Sequence, residues 1–229
     1  MKTTMSYSST DSNLFLKHFI NESGRVDYTK LHKNAIIKEK FTEIEKIDLS
    51  SFSSKNQEFA FWLNTYNLLV LKGVLKKLDK NPSWKGTTNF FSRLRFFVFQ
   101  KFKVGNKKLS LYFLENKILR SKFKDPRIHF AINCASSSCP VLPEMFFTEE
   151  NLESNLELLT RTFVNNETNV LINEQKNILT LNEIFKWYKN DFTKIGVVEF
   201  IKKYRSEYPA NLQNPKLAYF KYDWSLNKQ

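Results

Sequence analysis

RIHFAINCASSSCPVLPEMF, residues 127–146, holds both cysteines of the chain, Cys134 and Cys139, and one of its three histidines, His129. A thiolate is a strong nucleophile, and a nearby imidazole can take its proton and later return it to a leaving group. Pro140 follows Cys139 directly, and proline is favoured at the first position of a helix. The sequence therefore predicts Cys139 at or near a helix N-cap, where free N–H groups favour a thiolate. Read as a strand, this stretch puts Phe130, Ile132 and Cys134 on one apolar face and His129, Ala131 and Asn133 on the other. Cys134 is then an inert core thiol. Cys139 is the candidate nucleophile, brought back toward His129 by the ASSS turn. Three other readings stand beside this one: a buried strand with a structural turn, a Cys134–Cys139 disulfide, and a metal clip. C-x4-C with one nearby His offers at most three ligands where structural zinc takes four, so neither a metal nor another cofactor is expected.

Polar residues in apolar surroundings widen the candidate set. Asn64 and Asn67 lie three apart, on one helical face of FWLNTYNLLVL. A buried amide either ties down loop backbone or serves chemistry, by orienting an imidazole or stabilising an oxyanion. Glu115 can orient His129, as the acid of a triad does, or pair with Arg120 or Arg127. Arg127 can grip a substrate carboxylate or phosphate, or simply pair with Glu115. The catalytic candidates are Cys139, His129, Glu115, Asn64 and Asn67. The substrate-binding candidates are Arg127, Asn133 and Ser138.

These residues must be positioned by mostly helical elements. Residues 11–20 read as a short helix capped by Asp11 or Ser12, and 26–47 as a longer one with Asp27 as N-cap. FAFWLNTYNLLVLKGVLKKL (59–78) is apolar nearly all round and belongs at the centre of the fold. The late alternation of FFVFQKFKV and the turn signal Gly105-Asn106 predict a hairpin. Ser110 caps a helix over 110–121, and Thr148 one over 148–166. Residues 169–181 read as a second hairpin or strand pair, followed by the segments NEIFKWYKNDF (182–192) and VVEFIKKYRSEY (197–208). The aromatic end, with Tyr222 and Trp224, is expected to dock on the body. FKWYKNDF (185–192) carries Trp187, Tyr188 and Asp191, and its aromatic rings read as core rather than as a platform for a sugar or base. With 22 Phe, 5 Gly and 6 Pro, the chain reads as an α+β, helix-rich single domain over 1–229. A small, mainly antiparallel sheet packs on the buried central helix.

The chain carries a net charge of +13. Such charge can attract nucleic acid or an anionic membrane. The scattered lysines favour a solubilising surface instead, with RLRFFVFQKFKVGNKK (93–108) the densest basic stretch. No apolar leader follows Lys2, and no run approaches the roughly 18 residues of a membrane span. Two cysteines are no disulfide framework. Together these features point to the cytoplasm, with export open to a chain whose leader has been removed.

FWLNTYNLLVLKGVL, SLYFLENKILR, DPRIHFAINCASSSCPVL, LNEIFKWYKNDF and YDWSLN, in this order, resemble the domain of unknown function 547 family, over about residues 26–227. Residues 1–25 form an N-terminal extension. The family pattern includes the positions of Asn64, Asn67, Glu115, Arg127, His129, Cys134, Cys139 and Pro140. A thiol and an imidazole in its longest motif imply a cysteine hydrolase or acyltransferase acting on an amide or thioester. Its substrate would be a small molecule or a peptide. A papain- or transglutaminase-like fold enters by analogy alone. The alternative is a non-catalytic binding or scaffold module with a basic surface for an anionic partner.

Overall fold

A helix with apolar side chains on every side must be surrounded, and α3 (Lys55–Lys80) is. In the computed structural model, which describes residues 15–229, every residue of α3 from Phe59 to Leu75 except Lys72 is buried. The helix starts where the Ser54 side chain accepts the Gln57 N–H. Lys72, the one charge in this run, reaches Glu45 at 2.6 Å. The predicted cap at 11–12 lies outside the described residues. The helix expected over 26–47 is two, α1 (Tyr28–Lys33) and α2 (Ala35–Lys46), hinged at Asn34, which ends the first and caps the second. Asp27 caps α1 by accepting the Lys30 N–H.

After α3 the chain forms α4 (Phe90–Arg93), which continues as π-helical turns over Leu94–Phe99. This helix crosses α3 at Gly73, where an added Cβ would stand 3.0 Å from the Phe96 ring. The hairpin at Gly105-Asn106 is present as β1 (Phe102–Val104) and β2 (Lys107–Leu109). It buries Phe102, Val104 and Leu109 in the cluster built on α3. Ser110 caps α5 (Leu111–Phe113), and π-helical turns follow over Leu114–Phe123.

The predicted strand at 127–134 is not formed: its centre is a single helical turn, α6 (Ile128–Ala131). Asp125 and Pro126 start the turn. The Asp125 side chain accepts the Arg127 N–H at 2.9 Å, and the Ile128 and His129 N–H groups bond back to Asp125 and Pro126. Asp-Pro supplies the capping oxygen and the preset φ of a helix start, which overrode a short alternation. No helix follows Pro140 either. Residues 140–148 are irregular, and α7 begins at Leu152, running to Asn165, with Thr148 and Asn151 exchanging hydrogen bonds before it.

A three-stranded sheet comes next: β3 (Val170–Asn173) antiparallel to β4 (Ile178–Leu181), and β4 parallel to β5 (Lys216–Tyr219). Between β4 and β5 run α8 (Ile184–Trp187) and α9 (Val197–Tyr204). This sheet packs with α7, α8 and α9 in a second apolar cluster around Phe130, Phe185 and Phe200. The fold is α+β, helix-rich, with small and mainly antiparallel sheets. As expected of so aromatic a segment, the C-terminal stretch docks, with Tyr222 and Leu226 buried. It bridges Ser136 and Gly86 on the way. Gly86 sits at φ +101°, where a Cβ would meet the Leu226 nitrogen at 2.6 Å, so no other residue fits this crossing.

Two amides on α3 hold the irregular segments. Asn67 donates to the Ala131 carbonyl at 2.9 Å and accepts the Asn133 N–H at 2.8 Å. Asn64 does the same to Phe147, at 2.7 and 2.9 Å. Each amide mimics a neighbouring strand where none exists. Asn67→Ala leaves two buried backbone groups without partners. It should cost about 2–5 kcal/mol in urea unfolding, whereas an unchanged midpoint would show that the loop closes without the clamp.

Candidate functional site

Once α6 replaces a strand, the two cysteines no longer face opposite ways. Cys134 lies just past the turn, in backbone held by Asn67. Its N–H points at Cys139 Sγ, 2.8 Å away. Ala135 then takes a left-handed φ of +63°, a conformation that costs a non-glycine residue roughly 1–3 kcal/mol. Asn133 holds it there: its side chain accepts the Ala135 N–H at 2.8 Å and donates to the Pro140 carbonyl at 2.6 Å. The C-terminal stretch completes the loop. Ser137 N–H donates to Ser225 O at 2.8 Å, and Asn227 N–H to Ala135 O at 3.1 Å. Both thiols are free.

The cysteine environments differ from those read in the sequence. Cys134 Sγ lies 2.9 Å from Ser136 Oγ and 3.3 Å from Tyr222 Oη. Burial alone would raise its pKa. Hydrogen bonds from the Cys139 thiol, Ser136 and Tyr222 outweigh this and bring it to about 7. Burial and the neighbouring Cys134 charge push the Cys139 thiol well up. Within the pair Cys134 is therefore the more acidic thiol, with the Ser136 and Tyr222 hydroxyls within hydrogen-bond reach of its sulfur. Cys134 is not an inert core thiol, and Cys139, without a following helix, lacks the electrostatic support expected of it. Burial raises the Tyr222 phenol as well, which keeps it a donor.

His129 belongs to the same cavity, of about 320 Å³, as do Cys134, Cys139, Glu115 and Tyr188. Its Nε2 lies 2.7 Å from Asp191 Oδ2. That leaves Nδ1 as the ring nitrogen without a hydrogen-bond partner among the described residues, since an Nε2–H donating to a carboxylate makes Nδ1 the lone-pair nitrogen. Arg120 grips Asp191 with Nε at 2.6 Å and Nη2 at 3.0 Å. Burial opposes ionisation of Asp191, but His129 and Arg120 together hold its carboxyl well below the usual carboxylate range. The imidazole stacks on Tyr188, 4.0 Å between ring centres. The Tyr188 hydroxyl donates to Glu115 at 2.6 Å, and Tyr66 donates to the other oxygen at 3.1 Å.

Several sequence-derived roles shift accordingly. The acid on the imidazole is Asp191; Glu115 bonds neither His129 nor the arginines and acts through Tyr188. Asn64 and Asn67 bond backbone rather than the imidazole. Arg127 pairs with Asp125 at 2.7 Å and with Glu153, not with Glu115. Asn133 is buried with its amide fully engaged. Ser138 accepts the Asp223 N–H on its hydroxyl at 2.9 Å and the Asn182 amide on its carbonyl at 3.0 Å. A second cavity, also about 320 Å³, reaches Cys139 and has Ser138 and Asn182 in its wall. Asp191 and Tyr222 escaped sequence reasoning as partners of the site. Their one signal was a polar group in each of two aromatic stretches, FKWYKNDF and KYDWSLN. Among the described residues, no cluster of three or more His, Cys, Asp or Glu is placed to hold a metal ion.

The α+β framework thus brings a hydrogen-bonded cysteine pair and a carboxylate-held histidine to one cavity. A family model described as "Protein of unknown function, DUF547" matches residues 49–164, and the chain belongs to that family. The match includes both cysteines and His129 but stops short of Asp191 and Tyr222. Comparisons with curated proteins and with solved structures find no match.

Two measurements follow from the electrostatics. Iodoacetamide labelling of Cys134 should show a midpoint near pH 7, against about 8.5 for an ordinary thiol. Tyr222→Phe and Ser136→Ala each remove a hydroxyl beside the Cys134 sulfur and should move it upward. A wild-type midpoint at the ordinary value would refute the lowered acidity of Cys134. For Asp191 the folded pKa lies below the unfolded 3.8, so its stabilisation is complete above that value and fades as pH falls through it. The stability gap between wild type and Asp191→Asn, read from urea midpoints, should be largest at neutral pH and shrink below about pH 4.

Proposed function

We propose that the protein is a cysteine-dependent hydrolase or acyltransferase acting on an amide or thioester. The observation that carries the reading is the shared cavity, which is lined by a hydrogen-bonded cysteine pair and by a histidine held through Nε2 by an aspartate. In this reading Cys134 thiolate attacks the substrate carbonyl carbon, and the C–N or C–S bond to the leaving group breaks as the tetrahedral adduct collapses. His129 Nδ1, which takes the proton of the Cys134 thiol as the thiolate forms, gives that proton to the departing nitrogen or sulfur. The acyl-cysteine is then cleared by water or an acceptor, which loses its proton to the same Nδ1. Asp191 holds the ring orientation and stabilises the imidazolium, the task of the acid in a triad. Cys139 Sγ, which accepts the Cys134 N–H, stands beside the attacking residue. The two cavities that meet Cys139 give room for an acyl donor and a separate acceptor, which supports the transferase form.

A panel of aryl thioesters and peptide amides, with and without added amine acceptors, tests the reading. Cys134→Ser should abolish turnover, and His129→Ala should lower it by about 10²–10⁴-fold. Asp191→Asn should lower kcat while leaving KM nearly unchanged. Turnover that survives in both Cys134→Ser and Cys139→Ser would overturn the reading, as would the absence of acyl-enzyme in mass spectra of wild type across the panel.

A further inference from the structure

The basic stretch singled out in the sequence is not absorbed by the site. From Lys80 to Leu114 the chain carries eight Lys or Arg and no Asp or Glu. The structure organises part of this charge. Phe91, Arg95 and Phe99 follow one another at intervals of four along the Phe90–Phe99 helix, and all three are exposed. The rings are open to solvent to an unusual degree: Phe90 is 60% exposed, Phe91 80% and Phe99 69%. The opposite side of this helix is anchored by Phe96, buried against Gly73 and stacked on Trp84. The outward face is therefore held rigidly rather than left loose.

Beside it lies a shallow cavity of about 270 Å³ lined by Lys76, Lys77, Lys80, Arg95, Phe99 and Gln100. Among the described residues, none of these four cations has an acidic partner: the ion pairs of the molecule involve other lysines and arginines. Crowding is strong enough that burial, then Arg95, Lys80 and Lys76, lower the Lys77 pKa. Four cations gathered without counter-charge beside three bare aromatic rings call for a partner that is anionic and apolar at once. An anionic bilayer offers both, with phosphates at the surface and acyl chains just beneath. Single-stranded nucleic acid would satisfy the charge. The amide and hydroxyl of Asn89 and Ser92 are engaged with each other in the helix cap, and Phe91→Trp and Phe91→Ser/Phe99→Ser separate stacking on bases from insertion into lipid.

We propose that this face, made of Phe90, Phe91, Arg95 and Phe99 with Lys76, Lys77 and Lys80, docks the protein peripherally on an anionic lipid bilayer. The phenylalanines enter the interface and the cations meet lipid phosphates. Among the described residues no helix is long and apolar enough to cross a membrane, so attachment is reversible and salt-sensitive. The same helix supplies Phe97 to the cysteine cavity, which ties the docked face to the site without depending on its chemistry.

Vesicle sedimentation tests this with the full chain. Phosphatidylcholine vesicles are compared with vesicles holding about 30% phosphatidylserine, at low and physiological salt. Binding should appear on the anionic vesicles and weaken at the higher salt. Lys76→Gln/Lys77→Gln/Lys80→Gln/Arg95→Gln and Phe91→Ser/Phe99→Ser should each weaken it by about tenfold or more, with thermal midpoints little changed because none of the six side chains is buried in the core. Phe91→Trp reports insertion through a blue-shifted emission that acrylamide no longer quenches. The proposal is overturned by no binding to anionic vesicles at low salt. It is equally overturned by tighter binding to an RNA oligonucleotide that leaves Phe91→Trp emission unmoved and tolerates Phe91→Ser/Phe99→Ser.

Discussion

Two asparagine side chains on the buried central helix carry the arrangement of everything around the cavity. Asn67 holds Ala131 and Asn133, the residues on either side of the bend between α6 and the cysteine loop. Asn64 holds Phe147, where the irregular stretch after the loop returns to the body. Backbone between these anchors has no strand or helix to satisfy it, and buried peptide groups without partners are costly. The amides solve this because the backbone of α3 is satisfied within the helix, which leaves its side chains to serve a neighbour.

From that anchored loop the electrostatics follow in sequence. Left-handed Ala135 turns the chain so that Cys134 and Cys139 meet. Their closeness disfavours ionising both, and Cys134, whose sulfur lies beside the Ser136 and Tyr222 hydroxyls, is the more acidic of the two. On the other wall, Arg120 fixes Asp191, Asp191 fixes His129, and Tyr188 supports the ring from its face while bonded to Glu115. Two carboxylates beside one histidine therefore do different work. Asp191 is ionised and paired, and Glu115 accepts from two phenols that burial and its own charge keep protonated.

Local features were legible in the sequence where local physics determines them. Gly105-Asn106 marked its hairpin, Asp27 and Ser110 their helix starts, and the all-apolar run 59–75 its central place. The paired asparagines were recognisable as buried amides that need partners, and the aromatic C-terminal stretch as one that docks. The failures have physical causes as well. HFAINC is six residues long, too short for alternation to outweigh the Asp-Pro start just before it. The helix read after Pro140 rested on one residue, and Pro140 serves equally well in irregular backbone. Asp191 stands 62 residues from His129 and Tyr222 88 from Cys134. Pairings of that span are fixed by packing of the second apolar cluster, which no local pattern encodes.

The crossing of the C-terminal stretch over the cysteine loop also bears on the order in which the molecule comes together. Donors and acceptors that close the loop, Tyr222, Asp223 and Ser225, leave the ribosome some eighty residues after the thiols they enclose. Contacts this distant form late, because the entropy of closing a long loop must be met before they are rewarded. A nascent chain can bury α3 and set its asparagine anchors while Cys134 still lacks the hydroxyl that tunes it. The hydrogen bonds that Tyr222, Asp223 and Ser225 make to the cysteine loop then form late in the folding of the described residues.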